Sequence, residues 1–195
     1  MRKLQLFKDI RINSGKYRGV VLYRADATIT RPALNRSRTA IFNILNSRFN
    51  NNFETVLDCF AGSGAIAIEA ISREIAKKAV MCDISTTAIF ALNKNIEALD
   101  NYDKKNCTVI QGDITKIIKN YIYADLIFID PPYKYTEKTA SILISNISQF
   151  NFKAGTVIIV ETDSKNPVNI VPLSNIKLFD HRKYGRNEFL FFIKK

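Results

Sequence analysis

The chain of 195 residues is long enough for one complete core with little left for a second, and its 47% apolar content is that of a folded globular protein. The formal net charge of +11 is concentrated at the front: residues 1–48 carry eleven Lys and Arg against two Asp, while the rest carry 18 basic and 16 acidic side chains. That asymmetry points to a polyanionic partner, and no apolar run approaches the roughly 20 residues of a membrane span. Met1 to Ile10 lacks the apolar stretch of a secretory signal, so a cytoplasmic, monomeric protein with no membrane partner is expected. Cys59, Cys82 and Cys107 have neither metal spacing nor the even count of a disulfide framework. They read as buried apolar filler at strand ends beside the ligand loops. A single histidine, His181, cannot anchor a metal site, and no metal is expected.

Residues 1–24 read as a basic hairpin. Ile10-Arg11-Ile12 alternates, Asn13-Ser14-Gly15 is a turn signal, and Tyr17 to Tyr23 reads as a second strand bulged at Gly19. Arg11, Lys16, Tyr17 and Arg18 interleave charge with an aromatic ring, a combination suited to RNA phosphates and unpaired bases. Pro32 opens a helix over Ala33 to Leu45 that carries Arg36 and Arg38, with Arg31 just ahead of it. Asn50-Asn51-Asn52 is a polar linker, dividing a basic extension (1–50) from a main domain (51–195).

From Glu54 onward strands alternate with helices, which predicts a doubly wound α/β sheet. Strands are expected at Thr55–Asp58, Ala79–Asp83, Thr108–Ile110, Asp125–Ile129 and Thr156–Glu161. Intervening helices are expected at Gly64–Arg73, Thr86–Leu99, Thr115–Tyr121 and Glu137–Ile147. Ile176–Arg182 and Glu188–Ile193 flank Tyr184-Gly185-Arg186-Asn187 with no room for a helix, so an antiparallel hairpin closes the sheet edge.

Ligands of such sheets bind at the carboxyl ends of the strands. The run Asp58-Cys59-Phe60-Ala61-Gly62-Ser63-Gly64 ends the first strand, turns through two glycines and opens a helix whose unpaired N–H groups face the ligand. Gly62, Gly64 and Ala67 also fit the pattern of nicotinamide enzymes, so the turn alone leaves the cofactor open. Asp83 ends the second strand, where an acid can accept both hydroxyls of a ribose, and Gln111-Gly112-Asp113 follows the third. Asp130-Pro131-Pro132-Tyr133 decides the matter. The prolines stiffen the loop leaving the fourth strand. The Asp130 carboxylate and the Pro131 carbonyl offer acceptors for both hydrogens of an –NH2 group, and the Tyr133 ring offers a face to a flat base.

With these motifs the chain resembles the S-adenosylmethionine-dependent amino-methyltransferases, and more closely the bacterial 16S ribosomal RNA guanine-N2 methyltransferases, the RsmD family. The stretches INSGKYRGVVL, TRPALNRSRTAIFNIL, LDCFAGSGAIAIEAISR, QGDI, LIFIDPPY and RKYGRNEFLFF occur in that family's order and spacing. Two positions depart from the family's usual pattern: Ala33 replaces a Thr, and Thr39 replaces an acidic residue. The resemblance implies a Rossmann-like methyltransferase fold with a mostly parallel seven-stranded sheet. It assigns S-adenosylmethionine to Asp58, Phe60, Ala61, Gly62, Ser63, Gly64, Asp83, Ile84, Asp113 and Ile114. The target amine falls to Asp130, Pro131, Pro132 and Tyr133. The implied substrate is 16S rRNA or the small ribosomal particle, contacted through Arg11, Lys16, Tyr17, Arg18, Arg31, Arg36 and Arg38. The competing readings are an adenine-N6 DNA methyltransferase using the same clamp, and a non-catalytic RNA-binding assembly factor.

Overall fold

The computed structural model describes residues 5–25, 32–132, 136–165, 168 and 173–195, without the side chains of 32–36 and 136. The chain opens with strands β1 (Phe7–Arg11) and β2 (Val21–Arg24) and helix α1 (Pro32–Phe49). There follow β3 (Phe53–Asp58), α2 (Ala65–Ser72), β4 (Ala76–Asp83), α3 (Thr86–Ile96), α4 (Asn101–Lys105) and β5 (Cys107–Gln111). Helix α5 (Ile114–Ile117) and a 3-10 turn (Ile118–Tyr121) lead to β6 (Leu126–Ile129), α6 (Thr136–Gln149), β7 (Val157–Asp163), β8 (Ile176–Tyr184) and β9 (Asn187–Lys194).

The seven-stranded sheet has the order β5-β4-β3-β6-β7-β9-β8, with the first five strands parallel and the last two antiparallel. This is the doubly wound sheet and closing hairpin that the sequence predicts. The chain winds outward from β3 to β5, then returns to β6, so strand order reverses between β3 and β6. A crevice opens at the carboxyl ends of strands on either side of such a reversal.

Alternation along each strand divides the apolar side chains between two faces. Val56, Phe128, Ile159 and Phe191 join one core, together with Ala67, Ile68 and Ile71 of α2 and with Ile12, Leu22, Ile41, Phe42 and Leu45 of the N-terminal segment. Leu57, Ile127, Ile158 and Phe192 join the other, with Ile114, Ile118, Leu143, Ile144 and Ile147. Each fully buried side chain of this size contributes about 1.5–3 kcal/mol. The N-terminal segment therefore covers a sheet face, and the turn after α1, where Asn50 and Asn51 adopt positive φ of 50° each, feeds directly into β3. Helix α1 runs one turn beyond the expected end at Leu45 because Phe49 packs on Phe53 and Phe179, with ring centroids 5.5 and 5.9 Å away.

The hairpin differs from expectation. Residues 16–19 form a turn, and the second strand begins only at Val21. The reason is its docking on the carboxyl end of α2. Lys16 N–H donates to the Ser72 carbonyl at 2.7 Å, Tyr17 N–H donates to Ser72 Oγ at 2.8 Å, and Ser72 Oγ–H donates to the Ser14 carbonyl at 2.7 Å. A helix end leaves such carbonyls without partners of its own. Gly15, at φ +85°, lies so close that a Cβ there would sit 1.9 Å from the Ser72 carbonyl oxygen.

Two polar hubs complete this docking. Glu69, fully buried on α2, lies 2.7 Å from Arg38 Nε and 2.7 Å from an Arg73 guanidinium nitrogen, and accepts from Asn13 N–H at 3.1 Å. Asn95 on α3, also buried, accepts from Tyr23 N–H at 2.7 Å and donates to the carbonyls of Tyr23 at 2.7 Å and Ser63 at 2.8 Å. Thr39, at the position that departs from the family pattern, accepts a hydrogen bond from the Asn13 side chain at 3.4 Å.

Two expected RNA contacts, Arg38 and Tyr17, are corrected by this packing. Arg38 is only 6% exposed and is held by Glu69 and by the Arg11 carbonyl at 2.5 Å. Tyr17 is buried, and its hydroxyl donates to Asp103 at 2.7 Å, so the ring has no face for a base. Lys16 pairs with Asp100 and Asp103. Arg31 and the Arg36 side chain lie outside the described residues. Of the cysteines, Cys59 and Cys82 are buried near the carboxyl ends of β3 and β4. Cys107 instead begins β5, at the opposite end of the sheet from the ligand loops. Among the described residues no helix is long and apolar enough to cross a membrane.

Candidate active site

The turn after β3 is built from two backbone–backbone hydrogen bonds and one from backbone to side chain. Ala61 N–H donates to the Cys82 carbonyl at 2.9 Å, Gly64 N–H to the Ala61 carbonyl at 2.6 Å, and Gly62 N–H to Asp83 Oδ2 at 2.9 Å. Asp83 Oδ1 accepts Ser85 N–H at 2.8 Å, so one carboxylate ties the glycine turn to the end of β4. The two glycines are required for different reasons. Gly64, at φ +76°, is packed from behind: a Cβ there would lie 2.7 Å from Leu92 and 2.9 Å from Met81. Gly62, at φ +54°, faces open space, with nothing within 4 Å of a Cβ. Its backbone is thus presented to whatever enters the crevice.

That crevice is a cavity of about 480 Å³, within the size range of small-molecule sites. Asp58, Gly62, Asp83, Asp130 and Glu161 line one side of it, with Phe60, Ala61 and Ser63 of the turn. Ile10, Arg24, Arg38 and Ile41 of the N-terminal segment close the other. The glycine turn and the strand end carrying Asp130 therefore share one cavity. Arg24 is fixed in that wall by a bidentate pair to Asp9, at 2.7 and 2.6 Å.

Two acids of the lining, Asp58 and Asp130, are pushed toward the neutral form. Burial raises Asp58 to about 7, helped by the neighbouring carboxylates of Asp130 and Asp83 and opposed by the N–H groups of Phe60 and Ala67. The Ala67 N–H belongs to the first turn of α2, so Asp58 serves both the helix end and the cavity. Asp130 is likewise raised to about 7: its carboxyl opens onto the crevice, yet protein crowds around it on the other sides. A cationic ligand would return both groups to the ionised form.

Other predicted positions fall outside this lining. Ile84, between the lining residues Asp83 and Ser85, is an apolar side chain that is 70% exposed. Asp113 caps α5, accepting from Thr115 N–H at 3.1 Å and from its hydroxyl at 2.6 Å, and Ile114 is buried in the core of the far sheet face. Pro131 and Pro132 continue from Asp130, the first buried and the second exposed, while Tyr133 lies outside the described residues. His181 is 3.5 Å from Glu188, and among the described residues no group of three or more His, Cys, Asp or Glu is placed to hold a metal ion.

Sequence reasoning missed Glu69, Asn95 and Glu161. A signal existed for Glu161: like Asp58, Asp83 and Asp130, it is an acid at the end of an apolar run, Val157-Ile158-Ile159-Val160. Glu69 also stands out as the one charged residue of the apolar helix AIAIEAIS.

Comparison with known proteins agrees with this fold. The family model described as Conserved hypothetical protein 95 matches residues 10–193. The ribosomal RNA small subunit methyltransferase D of Buchnera aphidicola subsp. Baizongia pistaciae is 36% identical over 151 residues, covering 75% of this chain and 74% of that protein. The protein of the same name from Haemophilus influenzae is 31% identical over 165 residues, 82% of each chain. The solved structure of yhhF from Escherichia coli superposes with a TM-score of 0.75 at 26% identity, covering 95% of this chain and 98% of that one. By the extent of these matches, the chain belongs to the Conserved hypothetical protein 95 family, that of the small-subunit ribosomal RNA methyltransferases D.

Proposed function

We propose that the chain methylates the exocyclic N2 amine of a guanine in 16S rRNA, with S-adenosylmethionine as donor. The observation that carries this reading is the shared cavity. Asp130, at the head of the amine clamp, and Gly62 and Asp83, at the nucleotide end, line one space of about 480 Å³. The names of the curated relatives supply the substrate class, rRNA of the small subunit.

The cavity fits the donor. The exposed Gly62 backbone gives room for close approach, Asp83 retains acceptor capacity for ribose hydroxyls beyond its two N–H partners, and Ile84 offers an apolar surface to an adenine. The acids Asp58 and Asp130 favour a cationic sulfonium. When bound, the donor supplies an activated methyl group.

The rest of the chemistry falls to the chain. A guanine amine is a poor nucleophile because its lone pair is delocalised into the ring. Asp130 and the Pro131 carbonyl accept its two N–H groups, which favours a tetrahedral nitrogen and stabilises the positive charge that develops there. Holding the amine in line supplies much of the remaining acceleration, up to roughly 7–11 kcal/mol in favourable cases. Asp130, raised toward neutral pH, is placed to hold the departing proton. The base must leave its stack to reach this clamp, at a cost of a few kcal/mol. Arg11 and Arg18, both exposed on the N-terminal hairpin, offset that cost through phosphate contacts.

The test is mass mapping of methylated nucleotides in small-subunit rRNA from cells with and without the gene. One N2-methylguanine lost with the gene and restored by purified protein and S-adenosylmethionine is the expected result. A methyl group appearing on adenine N6 instead would reject the reading.

A further inference from the structure

Glu161 has no part in the chemistry described above, yet it lines the same cavity. Ile129 of β6 pairs with Val160 of β7, so Asp130, just past the end of β6, and Glu161, within β7, lie at the same level of neighbouring strands. By strand alternation both side chains fall on the sheet face of Phe128 and Ile159. Neighbouring strands lie about 4.8 Å apart, and both acids line the cavity at this edge. Glu161 is held in place from behind: Asn187, itself buried, donates its side-chain amide to Glu161 Oε1 at 2.5 Å. That amide N–H needs an acceptor oxygen and fixes the direction of the carboxyl group.

We infer that Glu161 is the residue that selects guanine, by accepting the N1–H that adjoins the N2 amine. The inference rests on the guanine-N2 reading above and deepens it. The guanine edge presents two adjacent kinds of donor, the N2 amine and N1–H, which match Asp130 and Glu161 in turn. Adenine presents its amine beside an N1 lone pair, and a carboxylate opposite that lone pair would leave two acceptors facing each other. Asn187 acts through Glu161 and is a positioning residue.

The test replaces the mapped target guanine in the RNA by 2,6-diaminopurine, which keeps the N2 amine but carries a lone pair at N1. The wild-type enzyme is expected to lose at least about 100-fold in kcat/KM on the analogue. Glu161→Gln is expected to lose a comparable factor on guanine and to regain activity on the analogue, because its amide N–H can donate to N1. Its affinity for S-adenosylmethionine, measured by calorimetry, should stay at the wild-type value. Equal wild-type activity on the two bases overturns the inference without any variant. So does a Glu161→Gln enzyme that loses activity equally on both. If the wild type methylates no guanine at all, the reading of the reaction fails along with it.

Discussion

Helix α2 has acids at both ends of its reach, and they live under opposite conditions. Glu69 is fully buried and meets two guanidinium groups, from Arg38 and Arg73. Asp58, at the other end, is buried beside two further carboxylates, Asp83 and Asp130. An acid given its counter-charges by the fold is scaffold: it holds the N-terminal segment on the helix. Acids crowded together, and pushed up to about 7, suit a cationic ligand that would return them to the ionised form.

If this division is right, substitutions on the two sides fail differently. Asp130→Ala should reduce methyl transfer by about 10³-fold or more while the protein stays folded and still binds S-adenosylmethionine, more weakly only by the lost attraction of one carboxylate for the sulfonium. Loss of cofactor binding, read by calorimetry, would assign Asp130 to the wrong ligand. Glu69→Ala should instead destabilise the fold by about 3–5 kcal/mol, because it strands Arg38 and Arg73 in the interior. Denaturant unfolding measures this, and an unchanged midpoint would show that the hub carries no load.

The pH dependence sharpens the comparison further. Asp58 and Asp130 titrate higher in the folded chain than unfolded, so the ligand-free fold binds more protons and loses stability as pH rises from about 4 to 7. A cationic donor reverses that preference. Its affinity should rise by up to about tenfold per pH unit for each proton released below pH 7, then level off. Calorimetry in buffers of different ionisation enthalpy counts those protons. The smallest expected effect lies on the outer surface. Replacing Arg11 and Arg18 by Gln should lower the slope of log affinity for rRNA against log salt by roughly 0.7–1 per lost phosphate contact. An unchanged slope would move the RNA path elsewhere.

The same contrast explains what could be read from the chain beforehand. Asp58, Asp83 and Asp130 each end an apolar run, and a strand buried on both faces announces itself in four or five residues. The sheet and its crevice were therefore legible. The N-terminal contacts were not, because exposure is a property of tertiary packing. Lys16, Tyr17 and Arg38 have the composition of an RNA surface, yet their partners Asp103 and Glu69 lie 87, 86 and 31 positions further along the chain. Asp113 illustrates the reverse case: an acid at a strand end that caps its own helix.

Asn95 carries a consequence of its own. One uncharged carboxamide spans from the backbone of Tyr23 to the carbonyl of Ser63, stitching the first hairpin to the ligand turn. The hairpin is thereby tied to the turn by a group that no change of acidity can loosen. Conversion of that amide to a carboxylate would set negative oxygen against two carbonyls, and the seam between hairpin and turn would open where the molecule needs it shut.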